Sequence, residues 1–194
     1  MRILNTFAAL TIMASGATAC AADTYKIDPV HSVVGFTIQH MMISHVNGNF
    51  TDFNGVIVYD DKNPSKCSVE VHIKTASLDT RVPARDKDVT SPNYLDAEKF
   101  PEIAFKSSSV EKKADGYIAH GVLTIHGVSN NVDLPFTIGG TQKDPWGNTR
   151  LGAQGGITIN RKDYGVSNNK TLEGGGVLIG DDVKIDLAVE GVRQ

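Results

Sequence analysis

The sequence predicts an all-β fold, an antiparallel barrel that is closed or nearly so. Three observations carry this. From His120 to Ile138 two arms alternate with period 2: Ala119, Gly121, Leu123 and Ile125 share one face, then Val132, Leu134, Phe136 and Ile138 share another. Gly127 and the Ser129-Asn130-Asn131 run supply residues that suit a hairpin turn. The same alternation returns near the end, where Val183, Ile185, Leu187 and Val189 face one way and Asp182, Lys184, Asp186 and Glu190 the other. A hairpin with one apolar side must bury it, and here its neighbours are further strands.

The first residues point to export. Met1-Arg2 is a short positive start, Leu4 to Ala14 is mostly apolar, and Ser15 to Ala22 are small. This predicts a secretory signal peptide over 1–22, followed by one domain over 23–194, and hence a periplasmic protein. Lipidation at Cys20 is the less favoured alternative, because Ala17 stands where a branched apolar residue is expected. The formal charge of −3 becomes about −4 without Arg2, and no basic cluster exists, which argues against nucleic acid as a partner. No second apolar run is long enough for a stable membrane span. After cleavage only Cys67 remains, so no internal disulfide is expected and the thiol reads as an inert strand-end group.

In chain order, Thr24–Ile27 reads as a short opening strand ended by Asp28-Pro29, and His31–His40 as a clean second strand. Met41–Val46 reads as a bend. Asn47–Asp60 reads as one long strand in which Phe50 and Phe53 differ in parity, repaired by a bulge near Gly55. Ser68–Thr75 alternates cleanly. An interruption from Ser77 to Pro101 holds a short helix over Val82–Val89, with Pro83 tolerated in its first turn and Ser91-Pro92 ending it. Its apolar residues Tyr94, Leu95 and Phe100 predict a lid folded over an open barrel end. Strands follow at Glu102–Lys113, Tyr117–Ile125, Asn131–Thr141 and Arg150–Asn160, then a Gly- and Asn-rich loop to Gly176 and the closing strand. Glycines 35, 121, 152 and 156 suit a thinned or bent wall. An outer-membrane barrel would present Lys184, Asp186 and Glu190 to lipid at a cost of up to ~2–4 kcal/mol for Lys, so the pattern is inside-out for a porin.

These segments together resemble the YceI-like family of secreted bacterial proteins. The likeness runs through Asp28-Pro-Val-His-Ser-Val-Val-Gly-Phe-Thr-Ile-Gln-His40, Gly48-Asn-Phe-Thr-Asp-Phe-Asn-Gly55, Ser77-Leu-Asp-Thr80 and Arg85-Asp86. It continues through Phe100-Pro-Glu-Ile-Ala-Phe-Lys-Ser107, Leu123-Thr-Ile-His-Gly-Val128 and Ile159-Asn-Arg-Lys-Asp-Tyr-Gly165. The resemblance implies an eight-stranded antiparallel lipocalin-like barrel that binds a polyisoprenoid or similar amphiphilic lipid in its interior, and it implies a homodimer. The chain departs from the family pattern after Arg85-Asp86. Asp88-Val89 stand where a His and a Leu are usual, and Tyr94-Leu95 replace a pair of aromatic residues before Asp96.

Parity places Phe36, Ile38, Val71, Ile73, Phe105, Leu123, Ile125, Phe136, Ile138, Ile157, Ile159 and Leu187 inward, where they would line a tunnel or simply fill a core. A tunnel would reward a hydrocarbon tail by roughly 25 cal/mol per Å² buried. His40, Arg85, Asp86, Asn160, Arg161 and Tyr164 are candidates for the mouth and a ligand head group, with a structural corner the stronger reading for the last three. Arg85 and Asp86 would pair with each other or hold the lid down. His31, His40 and His45 lack the spacing of a metal site, and no metal or cofactor is expected. His126 reads as a turn residue. No Gly-x-Ser-x-Gly, His-Glu-x-x-His or phosphate-loop motif is present, and the expectation is a binding or carrier protein rather than an enzyme. The alternatives are a tailoring factor acting on such a lipid at the mouth, and a stress-related barrel that binds protein on its outer surface.

Overall fold

The computed structural model describes residues 22–194; positions 1–21 of the expected leader, Cys20 among them, lie outside the described residues. The strands are β1 (Asp23–Ile27), β2 (Val33–His40), β3 (Ser44–Phe50), β4 (Phe53–Tyr59), β5 (Ser68–Lys74) and β6 (Leu78–Asp79). After the short α-helix α1 (Pro83–Val89) come β7 (Glu102–Lys113), β8 (Gly116–Ile125), β9 (Val128–Lys143), β10 (Thr149–Asn160) and β11 (Ile179–Arg193).

Pairing shows why eleven strand segments make an eight-stranded barrel. β11 pairs with β1 at Ile27↔Gly191 and with β2 at Val33↔Ala188, so β1 and β2 form one stave kinked at the 3₁₀ turn Pro29–His31. β4 pairs with β1 while β3 pairs with β2, and β5 pairs with β4 while β6 pairs with β3. Three kinked staves and five continuous strands therefore run as an up-and-down meander, closed where β1 meets β11. Closure leaves no long unpaired edge, which removes the aggregation hazard of an open sheet.

The stretch expected as one strand over Asn47–Asp60 is instead β3 and β4, broken at Thr51-Asp52. The bend, rather than a bulge at Gly55, lets Phe50 and Phe53 both point inward despite their parity. Gly55 answers a close approach: a Cβ there would lie 2.5 Å from the Glu70 carbonyl oxygen. The bend expected over Met41–Val46 is confined to residues 41–43, and Ser44 already pairs with His40. In the central hairpin Ile125 pairs with Val128, leaving His126 (φ 52°) and Gly127 (φ 74°) as a two-residue turn. Ser129, Asn130 and Asn131 belong to β9, not to the turn. A register shift at Gly152/Ala153 bends β10.

The barrel has two ends. The base carries the Asp144–Asn148 turn and the chain end of β11. The mouth carries the β2–β3 hairpin, the end of β10 and α1. Among the described residues β7 pairs with β5 but not with β6, and the lid segment occupies that gap above the last paired rung, Lys74↔Glu102.

Candidate functional site

The interior is apolar because each stave sends alternate residues inward, and it is filled unevenly. At the base, Tyr25 (2 % exposed), Cys67, Val110, Tyr117 and Leu151 (0 %) are packed solid. The Tyr59 and Tyr117 hydroxyls are 3.3 Å apart, and Tyr117 stacks on Phe136 with ring centroids at 5.3 Å. Burial and the neighbouring Tyr117 hydroxyl push the Tyr59 phenol far above its ordinary range, so it stays neutral. The buried Cys67 thiol is raised by desolvation, and its Sγ accepts from the Asp60 N–H at 3.3 Å. It is a packed, unreactive group.

Above this plug lies a cavity of about 430 Å³, within the range of small-molecule sites. Phe136, stacked on Tyr117, is on its wall. All twelve residues that parity turned inward are on its wall: Phe36, Ile38, Val71, Ile73, Phe105, Leu123, Ile125, Phe136, Ile138, Ile157, Ile159 and Leu187. Val46, Leu134, Val183, Ile185 and Val189 join them. The parity that selected Leu187 points equally to Val183, Ile185 and Val189. Gln39 and Gln154 also reach the wall and carried no such signal. Gly121 lets the wall close here, since a Cβ would sit 2.5 Å from the Lys106 carbonyl oxygen and 2.8 Å from the Phe105 ring.

The lid covers the mouth. Arg85, Asp88, Val89, Tyr94 and Leu95 face the cavity from it. Arg85 and Asp86 do not pair with each other; both hold Thr80. Asp86 Oδ1 accepts from the Thr80 N–H at 2.8 Å and its hydroxyl at 2.5 Å. Arg85 donates from Nε to Thr80 Oγ1 at 2.7 Å and from Nη2 to the Thr80 carbonyl at 2.9 Å. Asp86 is thus a clamp outside the cavity wall, whereas Arg85 is on it. The lid returns to the barrel through Phe100, whose ring meets His126 at 4.5 Å and packs over Gly127. Tyr94 is held neutral by burial, with the Asp88 carboxylate raising its phenol further and Arg161 opposing.

The opposite rim is a structural corner. Asn160 accepts from the Lys162 N–H and caps the 3₁₀ turn Arg161–Tyr164, away from the cavity wall. Arg161 is buried on the wall, but its guanidinium donates to the carbonyls of Gly180 (2.9 Å), Val166 (2.6 Å) and Asn168 (3.0 Å). Tyr164 is buried beside Asn130, and desolvation raises its phenol. His40 is on the cavity wall at the mouth.

The three histidines first considered for metal do not converge. Asp28, His31 and Glu190 do bring ligand atoms within 4.8 Å of one another. Arg150 already stands among them, with Nη1 at 2.8 Å from Asp28 Oδ2 and 2.6 Å from Glu190 Oε1, so the guanidinium supplies the positive charge. Hydrogen bonds from His31 and Arg150 hold the Asp28 carboxyl down at about 2.

Known proteins agree with this architecture. The YceI-like domain matches residues 25–191. A UPF0312 protein of Pectobacterium atrosepticum is 40 % identical over 195 residues, covering 100 % of this chain and 98 % of the relative. The crystal structure of Burkholderia cenocepacia BcnA superimposes with a TM-score of 0.75 at 22 % identity, over 84 % of this chain and 98 % of that one. A Saccharophagus degradans domain described as polyisoprenoid-binding and implicated in plant cell wall breakdown has a TM-score of 0.63 at 15 % identity, over 90 % of this chain and 100 % of that one. At those identities the two structures speak for the fold alone. The family match over nearly all of the described barrel, with a full-length relative at 40 % identity, settles membership: this chain belongs to the YceI-like family.

Proposed function

We propose that the protein binds a long-chain isoprenoid or other amphiphilic lipid inside the barrel and acts in the periplasm as its carrier or reservoir, after removal of residues 1–22. The observation that carries this is the cavity itself, lined mostly by apolar side chains and covered by a tethered lid. An empty cavity of that kind forfeits packing, whereas an alkyl or prenyl tail would bury its surface at roughly 25 cal/mol per Å². The family membership and the polyisoprenoid-binding domain of the same fold support the reading. The groups at the mouth bind backbone and Thr80 rather than forming a nucleophile–base pair, which favours holding a ligand over transforming it. Native mass spectrometry with lipid extraction, on protein purified from its own host, tests this. A copurifying prenyl or acyl lipid is expected at near-stoichiometric yield. Protein that emerges free of lipid and takes up none when offered prenyl alcohols would end the carrier reading.

A further inference from the structure

The hairpin joining β2 to β3 ends in Met41, Met42 and Ile43, which are 40, 50 and 83 % exposed. It stands at the rim of the mouth. His40 just before it lines the cavity, and the Met41 N–H donates at 2.8 Å to the carbonyl of Leu178, another wall residue. Two features separate this tip from an ordinary solvent-facing turn. All three residues are apolar, and Met41 and Met42 adopt φ of 52° and 61°, the left-handed region where Asn and Gly fit at least cost. Exposed apolar surface and left-handed methionines both work against the isolated protein, and such local conflicts collect at functional surfaces.

We infer that this tip is a membrane-docking element, which inserts its three side chains among the acyl chains of a bilayer so that the mouth opens onto the ligand's source. The inference rests on the lipid-carrier reading above. A ligand with a long apolar tail partitions strongly out of water, so it is exchanged at a lipid surface and the mouth must reach one. A protein partner is disfavoured by size. Three side chains, each smaller than an aromatic that buries ~150–250 Å², fall short of the ~800 Å² per partner of a stable protein interface. Membrane insertion sets no such minimum, and methionine adapts its shape to an irregular apolar medium. The tip carries no charge, so the attraction is apolar and should survive high salt and need no anionic lipid.

The test uses phosphatidylcholine vesicles. Ile43→Trp in a Trp146→Phe background should show blue-shifted emission on adding vesicles, at low and high salt, and quenching by brominated acyl chains. In the parent, Trp146 lies at the base, 81 % exposed, and should not respond. The double variant Met41→Asn, Met42→Gly suits the backbone and should be at least as stable as the parent. It should extract dansyl-labelled geranylgeraniol from the vesicles about tenfold more slowly, yet bind the same probe added from ethanol with unchanged affinity. Equal extraction rates, or no blue shift at position 43, would overturn the docking element. So would a vesicle-independent dimer that the double variant dissolves, since the tip would then belong to a second copy. Failure of parent and variant alike to bind the probe from ethanol would instead overturn the carrier reading, a separate outcome.

Discussion

The base and the mouth half of this barrel both send apolar residues inward at the same parity, yet one is solid and the other hollow. Leu151 near the base is fully buried, while Leu187, on the neighbouring β11, lines the cavity and is only half-buried. The difference lies in what stands opposite. Tyr25, Tyr59 and Tyr117 are wide enough to fill the barrel there, and the last two join hydroxyls. In the mouth half the facing residues are mostly Val, Ile and Leu, too short to close the gap, and glycines such as Gly155 add nothing to fill it. Stability and binding capacity are thereby assigned to different lengths of one tube.

That division can be broken most severely at the base. Leu151→Ala should cost about 3 kcal/mol in urea denaturation, because the packed surroundings cannot collapse into the void. Leu187→Ala, which removes a residue already facing a cavity, should cost under ~1.5 kcal/mol. Equal losses would erase the distinction. The next largest effect concerns binding: Leu123→Arg places an unpaired charge on the cavity wall and should lower copurifying lipid by at least about tenfold in whatever protein folds. A folded variant that keeps its lipid would move the binding site elsewhere.

A smaller effect is expected at the lid. Thr80→Val removes the hydroxyl shared by Arg85 and Asp86, a loss of about 1–2 kcal/mol that is local. Amide exchange over Pro83–Leu95 should accelerate about tenfold while the base strands are unchanged. The smallest effect is a pH dependence, and its acid limb belongs to the base. The Asp28 carboxyl falls from 3.8 to about 2 on folding, so its contribution is complete above 3.8 and drains away as pH falls toward 2. Asp28→Asn should flatten acid unfolding in that window. His72, between Glu102 and Glu70, and His120, between Asp133 and Glu111, are raised above 6.5, so their small surface contributions hold below 6.5 and are lost as pH climbs.

Much of the barrel is legible in the sequence because parity is a local signal: β7, β8, β10 and the inward set of the tunnel follow from alternation alone. The kinks are not. Phe50 and Phe53 out of step can be reconciled by a bulge or by a bend, and only the partners β1 and β2, distant in the chain, decide for the bend at Thr51-Asp52. Nor does parity separate wall from plug, since Leu151 and Leu187 read identically until the residues across the barrel are known. At the mouth, Arg161 reads as part of a structural corner, but its partners do not: they are the carbonyls of Val166 and Asn168 in the loop after β10 and of Gly180 in β11. Arg85 and Asp86 read as a pair or as a tie for the lid; the tie is what forms, and its anchor Thr80 carries no local signal of that role.

The central claim, a hollow mouth half above a solid base, is tested most directly by xenon. In crystals of lipid-stripped protein under xenon pressure, atoms should appear among Ile157, Ile185 and Leu187 and none between Tyr59, Tyr117 and Leu151. Xenon at the base, or an interior that takes up none at either end, would contradict it.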